Sequence, residues 1–281
     1  MPGRLTTTTP HRRKPMSASE LLDLAMAAAS EAGRTLAGGR AAPHSVDIKS
    51  SPGDVVSELD RASERLIVET LLAARPDDGI LGEEGGERAG SSGIRWVIDP
   101  LDGTLNFLRG TSAFAVSIAA EIEGESVAGV VYEPATSRTY AAVRGHGAWC
   151  DGRPITASRQ KRLSHALVGT GFGHDLALRA QQASLLGDVA KRVMDIRSSG
   201  SAALDLCAVA AGHLDVYYEC DTRLWDRAAG TLIAAEAGAA ISGRVPGRPG
   251  DELVIAGSAP LVDAIRDLCA ERLRPDPAGG W

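Results

Sequence analysis

The chain has 281 residues, 36 acidic and 30 basic side chains, a formal net charge of −6, and is 44% hydrophobic and 23% charged. That balance belongs to a folded globular protein rather than a disordered one, and the acid excess argues against a nucleic-acid backbone or an anionic membrane as main partner. The length suits one large domain or two packed lobes, and no apolar run approaches the ~18 residues that a bilayer-spanning helix needs.

Residues 1–16 hold Arg4, Arg12, Arg13 and Lys14 and no acid, leaving 26 basic against 36 acidic side chains in the remainder. This leader lacks the apolar core of a secretory signal. Its Thr6–Thr9 run and prolines predict a disordered basic tail, with Met16 a second candidate start. Ser17-Ala-Ser-Glu20 is a capping-box pattern, after which Leu21, Leu24, Ala25, Ala28 and Ala32 recur at helical spacing. A second helix is predicted from Ser57 to Ala74, with Leu59, Ala62, Leu66 and Thr70 on one face and Pro76 beyond its end. Short apolar runs at Ile80–Leu81 and Trp96–Ile98 each lead directly into acids and glycine.

From Ala113 the pattern turns to strands: Ala113–Ile122, Val127–Tyr132 and Thr139–Val143, separated by turn residues. After Gly152 strands and helices alternate: strand Ala166–Gly171, helix Leu176–Arg192, a short strand ending at Arg197, and an Ala-rich helix Ser201–Ala211. Strand Leu214–Glu219, helix Asp226–Ala237, strand Leu253–Ala256 and helix Pro260–Leu273 follow, the last with proline at the tolerated first position. The expected organisation is one domain, residues 17–273, with an α+β half at 17–152 and an α/β half at 153–273. It lies between the leader and a flexible tail at 274–281. Both sheets need helices on their faces, which predicts stacked layers, and the boundary between the halves is a natural place for a site.

Cys150, Cys207, Cys220 and Cys269 form no CxxC pair and no regular spacing, which points away from thiolate–metal sites and disulfides and towards a reducing cytoplasm. The six His are scattered, so a metal here would be held by oxygen. The strongest chemical signal is Trp96-Val-Ile-Asp-Pro-Leu-Asp-Gly-Thr-Leu-Asn-Phe107. A strand ends in Asp99, Asp102 follows three residues on, and Gly103-Thr104 open a short helix. Carboxylates bind a hard cation such as Mg²⁺, and helix N-terminal amides bind phosphate oxygens. Helix capping alone would account for one Asp, but not for two acids, Gly and Thr in this order. Leu81-Gly-Glu-Glu-Gly-Gly86 is a second strand ending in acids, with glycines that keep the backbone open. Asp226, in Leu224-Trp-Asp226, and Asp60 stand near helix starts, where a cap or a solvated face is the ordinary role of an acid.

These residues, with Lys49-Ser-Ser-Pro, Asp54-Val-Val, Arg197-Ser-Ser-Gly-Ser-Ala-Ala203, Tyr217-Tyr-Glu219 and Trp225-Asp226, resemble the inositol monophosphatase family of Mg²⁺-dependent, lithium-sensitive phosphatases. The resemblance runs over about residues 17–273 and implies a layered αβαβα sandwich of the sugar-phosphatase type. It also implies hydrolysis of an inositol monophosphate by metal-activated water, with two or three Mg²⁺ per subunit, in a cytoplasmic homodimer. Glu83, Asp99 and the Leu101 carbonyl would hold one metal; Asp99, Asp102 and Asp226 would hold a second; Glu83 would reach a third through water. Asp60 and Thr104 would help to activate the water. Asp102 and the Gly103 and Thr104 amides would face the phosphate, while Gly200, Ser201, Ala202, Glu219 and Asp226 would contact the substrate alcohol. Lys49 matches a site lysine of the family. The Asp60 segment departs from the usual pair of threonines, reading Ser-Glu-Leu-Asp, while Leu105 and Asn106-Phe107 favour the inositol-phosphate branch. Two alternatives stand beside this reading: the same chemistry on histidinol phosphate, fructose 1,6-bisphosphate or a nucleotide-derived phosphate, and a regulatory, RNA-associated protein with a vestigial site and a functional basic leader.

Overall fold

The computed structural model describes residues 16–40, 46–48 and 55–273. The basic leader, Lys49, Asp54 and the tail lie outside the described residues. Helix α1 (Ala18–Gly39) starts at Ser17 as the capping box predicts: Ser17 N donates to Glu20 Oε2 at 2.7 Å, and Glu20 N donates to Ser17 Oγ at 3.3 Å. A short hairpin, β1 (Val46–Ile48) with β2 (Val55–Ser57), precedes α2 (Glu58–Ala74).

The inward face of α2 is not the predicted one. Asp60, Ser63, Glu64, Ile67 and Leu71 are buried, while Leu59, Ala62, Leu66 and Thr70 are only partly covered. An apolar-periodicity reading fails here because the first turns of α2 point polar groups into the molecule. Ser63 Oγ donates to the Pro100 carbonyl at 2.9 Å, and Glu64 accepts the Glu84 and Gly85 amides at 2.8 and 2.5 Å.

The first sheet has eight strands: β3 (Gly79–Gly82), β4 (Gly86–Arg88), β5 (Ile94–Asp102), β6 (Ala115–Ile122), β7 (Glu125–Glu133), β8 (Arg138–Val143), β9 (Gly147–Cys150) and β10 (Arg153–Pro154). Their order is β10-β9-β8-β7-β6-β5-β3-β4, antiparallel except for the parallel β3/β5 pair. Helix α3 (Thr104–Leu108) follows β5 at once. The second sheet contains β11 (Leu167–Thr170), β12 (Asp195–Arg197), β13 (Val216–Glu219), β14 (Ala240–Ser242) and β15 (Val254–Gly257), in the order β12-β11-β13-β15-β14. Helices α4 (Leu176–Ala190), α5 (Ala202–Ala210), α6 (Leu224–Glu236) and α7 (Ala259–Arg272) complete the chain. Strands β4, β9, β10 and β14, of two to four residues each, are too short to carry a readable alternation.

The layers run α1/α2, first sheet, α5/α6, second sheet, α4/α7, which is the αβαβα sandwich. Alternation along β5 feeds two of these interfaces: Trp96 and Ile98 pack towards α1 and α2, while Val97 packs towards α6. The central helix layer lies between two sheets and is built of small residues, among them Ala203, Ala228, Ala229 and Ala234. Gly129 on β7 is part of the same fit, because a Cβ there would lie 3.1 Å from Ala229 Cα. Each large aliphatic or aromatic side chain buried in these interfaces contributes roughly 1.5–3 kcal/mol. Trp96 is fully buried, and its indole N–H donates to Asp78 Oδ2 at 2.8 Å, so the buried polar group is satisfied. All four cysteines are free thiols; Cys207, Cys220 and Cys269 are buried and Cys150 is half-buried.

Candidate active site

The parallel register of β3 with β5 pairs Gly82 with Ile98, and Glu83 N donates to the Ile98 carbonyl at 3.2 Å. Glu83 is thereby brought beside Asp99 where both strands end. Residues three apart in a regular strand point to opposite faces. Between Asp99 and Asp102 the pairing with β6 slips by one residue, a bulge that brings both side chains to one cavity. Pro100 and Leu101 form the bulge; Leu101 N donates to Asp99 Oδ1 at 3.0 Å, and Ser63 clamps the Pro100 carbonyl.

Gly103 then turns the chain into α3 with φ 87°, a left-handed conformation open to glycine. Thr104 begins the helix, and its hydroxyl lies 3.0 Å from Asp60 Oδ1 and 3.1 Å from the Leu101 carbonyl. One hydroxyl proton can serve only one acceptor at a time. Asp60 is held from behind by Ser57, whose N donates to Oδ2 at 3.0 Å and whose hydroxyl also donates to it.

The second half of the chain closes the cavity. Asp102 Oδ2 accepts the Ser201 hydroxyl at 2.5 Å and the Ala203 amide at 2.8 Å, so the carboxylate sits on the N-terminus of α5. Asn106 Nδ2 donates to the Ala113 and Ser199 carbonyls at 2.7 and 2.8 Å, binding the loop before α5 to α3. Tyr217 OH donates to Glu219 Oε2 at 2.5 Å. Asp226 lies in the first turn of α6, and its Oδ2 accepts the Arg223 amide at 2.7 Å.

The resulting cavity, of about 520 Å³, is lined by Glu83, Asp99, Leu101, Asp102, Gly103, Thr104, Gly200, Ala202, Glu219 and Asp226. Asp60 and Ser201 stand behind the wall, reaching it through Thr104 and Asp102. Sequence reasoning missed the residues that hold these groups, namely Ser57, Ser63, Glu64 and Asp205. It also missed a basic wall of His174, Arg179 and Arg223. One signal for Glu64 was available: it follows Asp60 by four residues, one helical turn on the same face.

The electrostatics follow from crowding acids away from water. Asp99 lies well above the usual carboxylate range, first because it is buried and then because Glu83, Asp102 and Asp226 repel its negative charge. Burial raises Asp226 as well, with repulsion from Asp102 and Glu83 added. Burial lifts Asp102 to about 6, against the pull of its Ser201 and Ala203 bonds. Glu219 reaches about 8, raised by burial and lowered by Tyr217. Burial raises Asp60, while its Ser57 and Thr104 bonds oppose the shift.

Carboxylates with raised proton affinity around one cavity also have affinity for another cation. Six acids line the cavity, Glu83, Asp99, Asp102, Glu219, Asp221 and Asp226, and Leu101 lies in the wall beside them, so oxygen donors suited to a hard divalent ion predominate. Among the described residues no three His, Cys, Asp or Glu side chains form a closed ligand cluster.

Comparison with known proteins gives the family. The model of the inositol monophosphatase family matches residues 17–272. An inositol-1-monophosphatase of Mycobacterium leprae is 45% identical over 240 residues, covering 81% of this chain and 82% of the relative. A protein of Pasteurella multocida named Nus factor SuhB is 40% identical, covering 78% of this chain and 83% of the relative. The crystal structure of extragenic suppressor protein suhB from Bartonella henselae superposes with a TM-score of 0.83 at 36% identity, covering 89% of this chain and 98% of that one. The chain belongs to the inositol monophosphatase family, a group of phosphatases.

Proposed function

We propose that the protein hydrolyses the phosphomonoester of an inositol monophosphate, with Mg²⁺ held by Glu83, Asp99, the Leu101 carbonyl, Asp102 and Asp226. The observation that carries this reading is the convergence of those acids with the Gly103–Thr104 helix start in one cavity. Bound Mg²⁺ supplies positive charge to the phosphoryl oxygens and the leaving oxygen, and acidifies the attacking water. The protein's own groups do the rest. The Gly103 and Thr104 amides, at the start of α3, donate to phosphate oxygens. The Thr104 hydroxyl, in reach of Asp60, orients the attacking water and passes its proton towards the carboxylate. Gly200, Ala202, Glu219 and Asp226 border the space for the substrate alcohol, with Ser201 supporting it from behind through Asp102, and the Tyr217 bond fixes the Glu219 carboxyl there. Direct attack by water is the proposed route, as the family resemblance implies; among the described residues no Cys lines the cavity.

Lithium inhibition, a homodimer and a cytoplasmic location belong to the same proposal, on the strength of the family resemblance. A second substrate reading has its own support. Arg179 adds positive charge to the cavity wall beside Arg223, which is itself paired with Asp221 and Asp251, and Arg179 would favour a leaving group with another anion, as in fructose 1,6-bisphosphate. A third reading, regulation without catalysis, is favoured by the name of the Pasteurella multocida relative. Phosphate release with Mg²⁺ across inositol 1-phosphate, histidinol phosphate, fructose 1,6-bisphosphate and a nucleotide-derived phosphate separates the three. A highest kcat/KM on inositol phosphate supports the first reading, a highest value on the bisphosphate the second, and no turnover of any substrate the third.

A further inference from the structure

Helix α2 touches the site at three separate points from a single turn. Asp60, Ser63 and Glu64, at positions i, i+3 and i+4, share one helix face. Asp60 meets Thr104, Ser63 holds the Pro100 carbonyl, and Glu64 reaches the turn between β3 and β4. The first two therefore act on the Asp99–Thr104 block, whereas Glu64 acts on the segment that carries Glu83.

That segment needs fixing from outside. Gly82, Gly85 and Gly86 surround Glu83 and Glu84, and glycine leaves the backbone a wide choice of conformations. One end is tied where Glu83 N donates to the Ile98 carbonyl at 3.2 Å. The next two amides both end on Glu64: Glu84 N donates to Oε2 at 2.8 Å and Gly85 N to Oε1 at 2.5 Å. Glycines are required for this approach, because a Cβ at Gly82 or Gly85 would stand 2.6 or 2.5 Å from a Glu64 oxygen. Glu64 is 5% exposed and lies behind the cavity wall rather than in it. Glu83 also repels Asp99 and Asp226 as like charges, so the turn must be tethered if Glu83 is to stay beside them.

Building on the proposed role of Glu83 in holding Mg²⁺, we propose that Glu64 is a positioning residue for Glu83. By accepting two successive amides of the turn it keeps the Glu83 carboxyl at the cavity, and so raises the affinity for Mg²⁺ without itself lining the site. The test is a calorimetric titration of the full chain with Mg²⁺ alone, in the wild type, Glu64→Gln and Glu64→Asp. Gln keeps the length but offers one acceptor oxygen for two amides; Asp keeps the charge and both oxygens but stands one methylene short of the turn. Both variants should bind Mg²⁺ roughly ten- to hundredfold more weakly. The Mg²⁺ concentration at half-maximal phosphate release should rise by the same factor, with the substrate KM at saturating Mg²⁺ nearly held. Ile67→Val, buried one turn further along α2, should lower the melting temperature and leave the Mg²⁺ midpoint unchanged. Slow hydrogen exchange of the Glu84 and Gly85 amides in the wild type in EDTA should show the clamp directly, whether or not the variants fold. The proposal is overturned, with the metal site intact, by wild-type Mg²⁺ affinity in either Glu64 variant, by an equal loss in Ile67→Val, or by exchange of both amides at the rate of an open turn. A wild type that binds no Mg²⁺ overturns the metal site and this role together.

Discussion

Asp205 offers the sharpest test of the electrostatic argument, because it borders the site without being assigned to metal or substrate. It lies on α5, is 5% exposed, and its Oδ2 accepts the Ser199 amide at 3.4 Å. Burial carries its proton affinity from the ordinary 3.8 to about 7, the Ser199 bonds oppose the rise, and repulsion from Asp102 adds to it. In the unfolded chain the carboxyl ionises near its ordinary value. Between the two values the native state therefore binds more protons, and stability falls as the pH rises. The gap amounts to about 4 kcal/mol in the limit, at ~1.36 kcal/mol per pH unit. Asp205→Asn stays neutral at every pH and keeps an acceptor for the Ser199 amide. Relative to the wild type it should be unchanged or about 1 kcal/mol less stable near pH 4, and more stable by about 2–4 kcal/mol above pH 7. Urea unfolding of both proteins in EDTA at several pH values gives the difference directly. A difference that stays flat with pH would show that Asp205 ionises normally in the folded chain, and would refute the burial argument.

Asp102→Asn should lower phosphate release by at least about a thousandfold. In EDTA at neutral pH the variant should unfold at the same or a higher temperature, since Asn removes a charge that burial disfavours and its side-chain oxygen can still accept from Ser201 and Ala203. Gly103→Ala forces a side chain onto a left-handed residue, at about 1–2 kcal/mol, and puts a Cβ 2.8 Å from the Ala113 carbonyl; urea unfolding and kcat should both fall. Ser57→Ala removes the α2 cap, worth about 1 kcal/mol, and releases Asp60, so kcat should drop while KM is nearly held. Chelation should stop turnover and Mg²⁺ restore it, with the melting temperature rising in step; saturation at a hundred times Kd corresponds to ~2.7 kcal/mol. A melting curve indifferent to Mg²⁺ would count against the donor set.

The elements that sequence reasoning places well are those whose signal is local. The α1 capping box needs only Ser17 and Glu20, and strands β6, β7 and β8 are apolar runs bounded by turn residues, buried continuously because helices cover both faces of the sheet. The Asp99–Thr104 block is legible because its acids, glycine and threonine follow one another directly. The face of α2 was misread for the opposite reason. Its inward side carries Asp60, Ser63 and Glu64, whose partners are Thr104, Pro100 and the Glu84–Gly85 turn, distant in the chain. Hydropathy ranks such residues as surface, and only the tertiary contacts reveal that their polar groups are satisfied inside.

The sequence by itself determined the chemical inventory: which acids, which phosphate-binding turn, and an all-oxygen donor set. The tertiary structure decided how those groups meet. A one-residue slip between β5 and β6 brings Asp99 and Asp102 to one cavity, and the parallel β3/β5 register sets Glu83 beside them. Sandwich packing then sets α5 and α6 against the first sheet, so that Ala202, Glu219 and Asp226 complete the same cavity from about a hundred residues away, and Ser201 holds Asp102 from behind. Strand register and layer packing depend on pairings across the whole chain, and no local pattern of side chains encodes them.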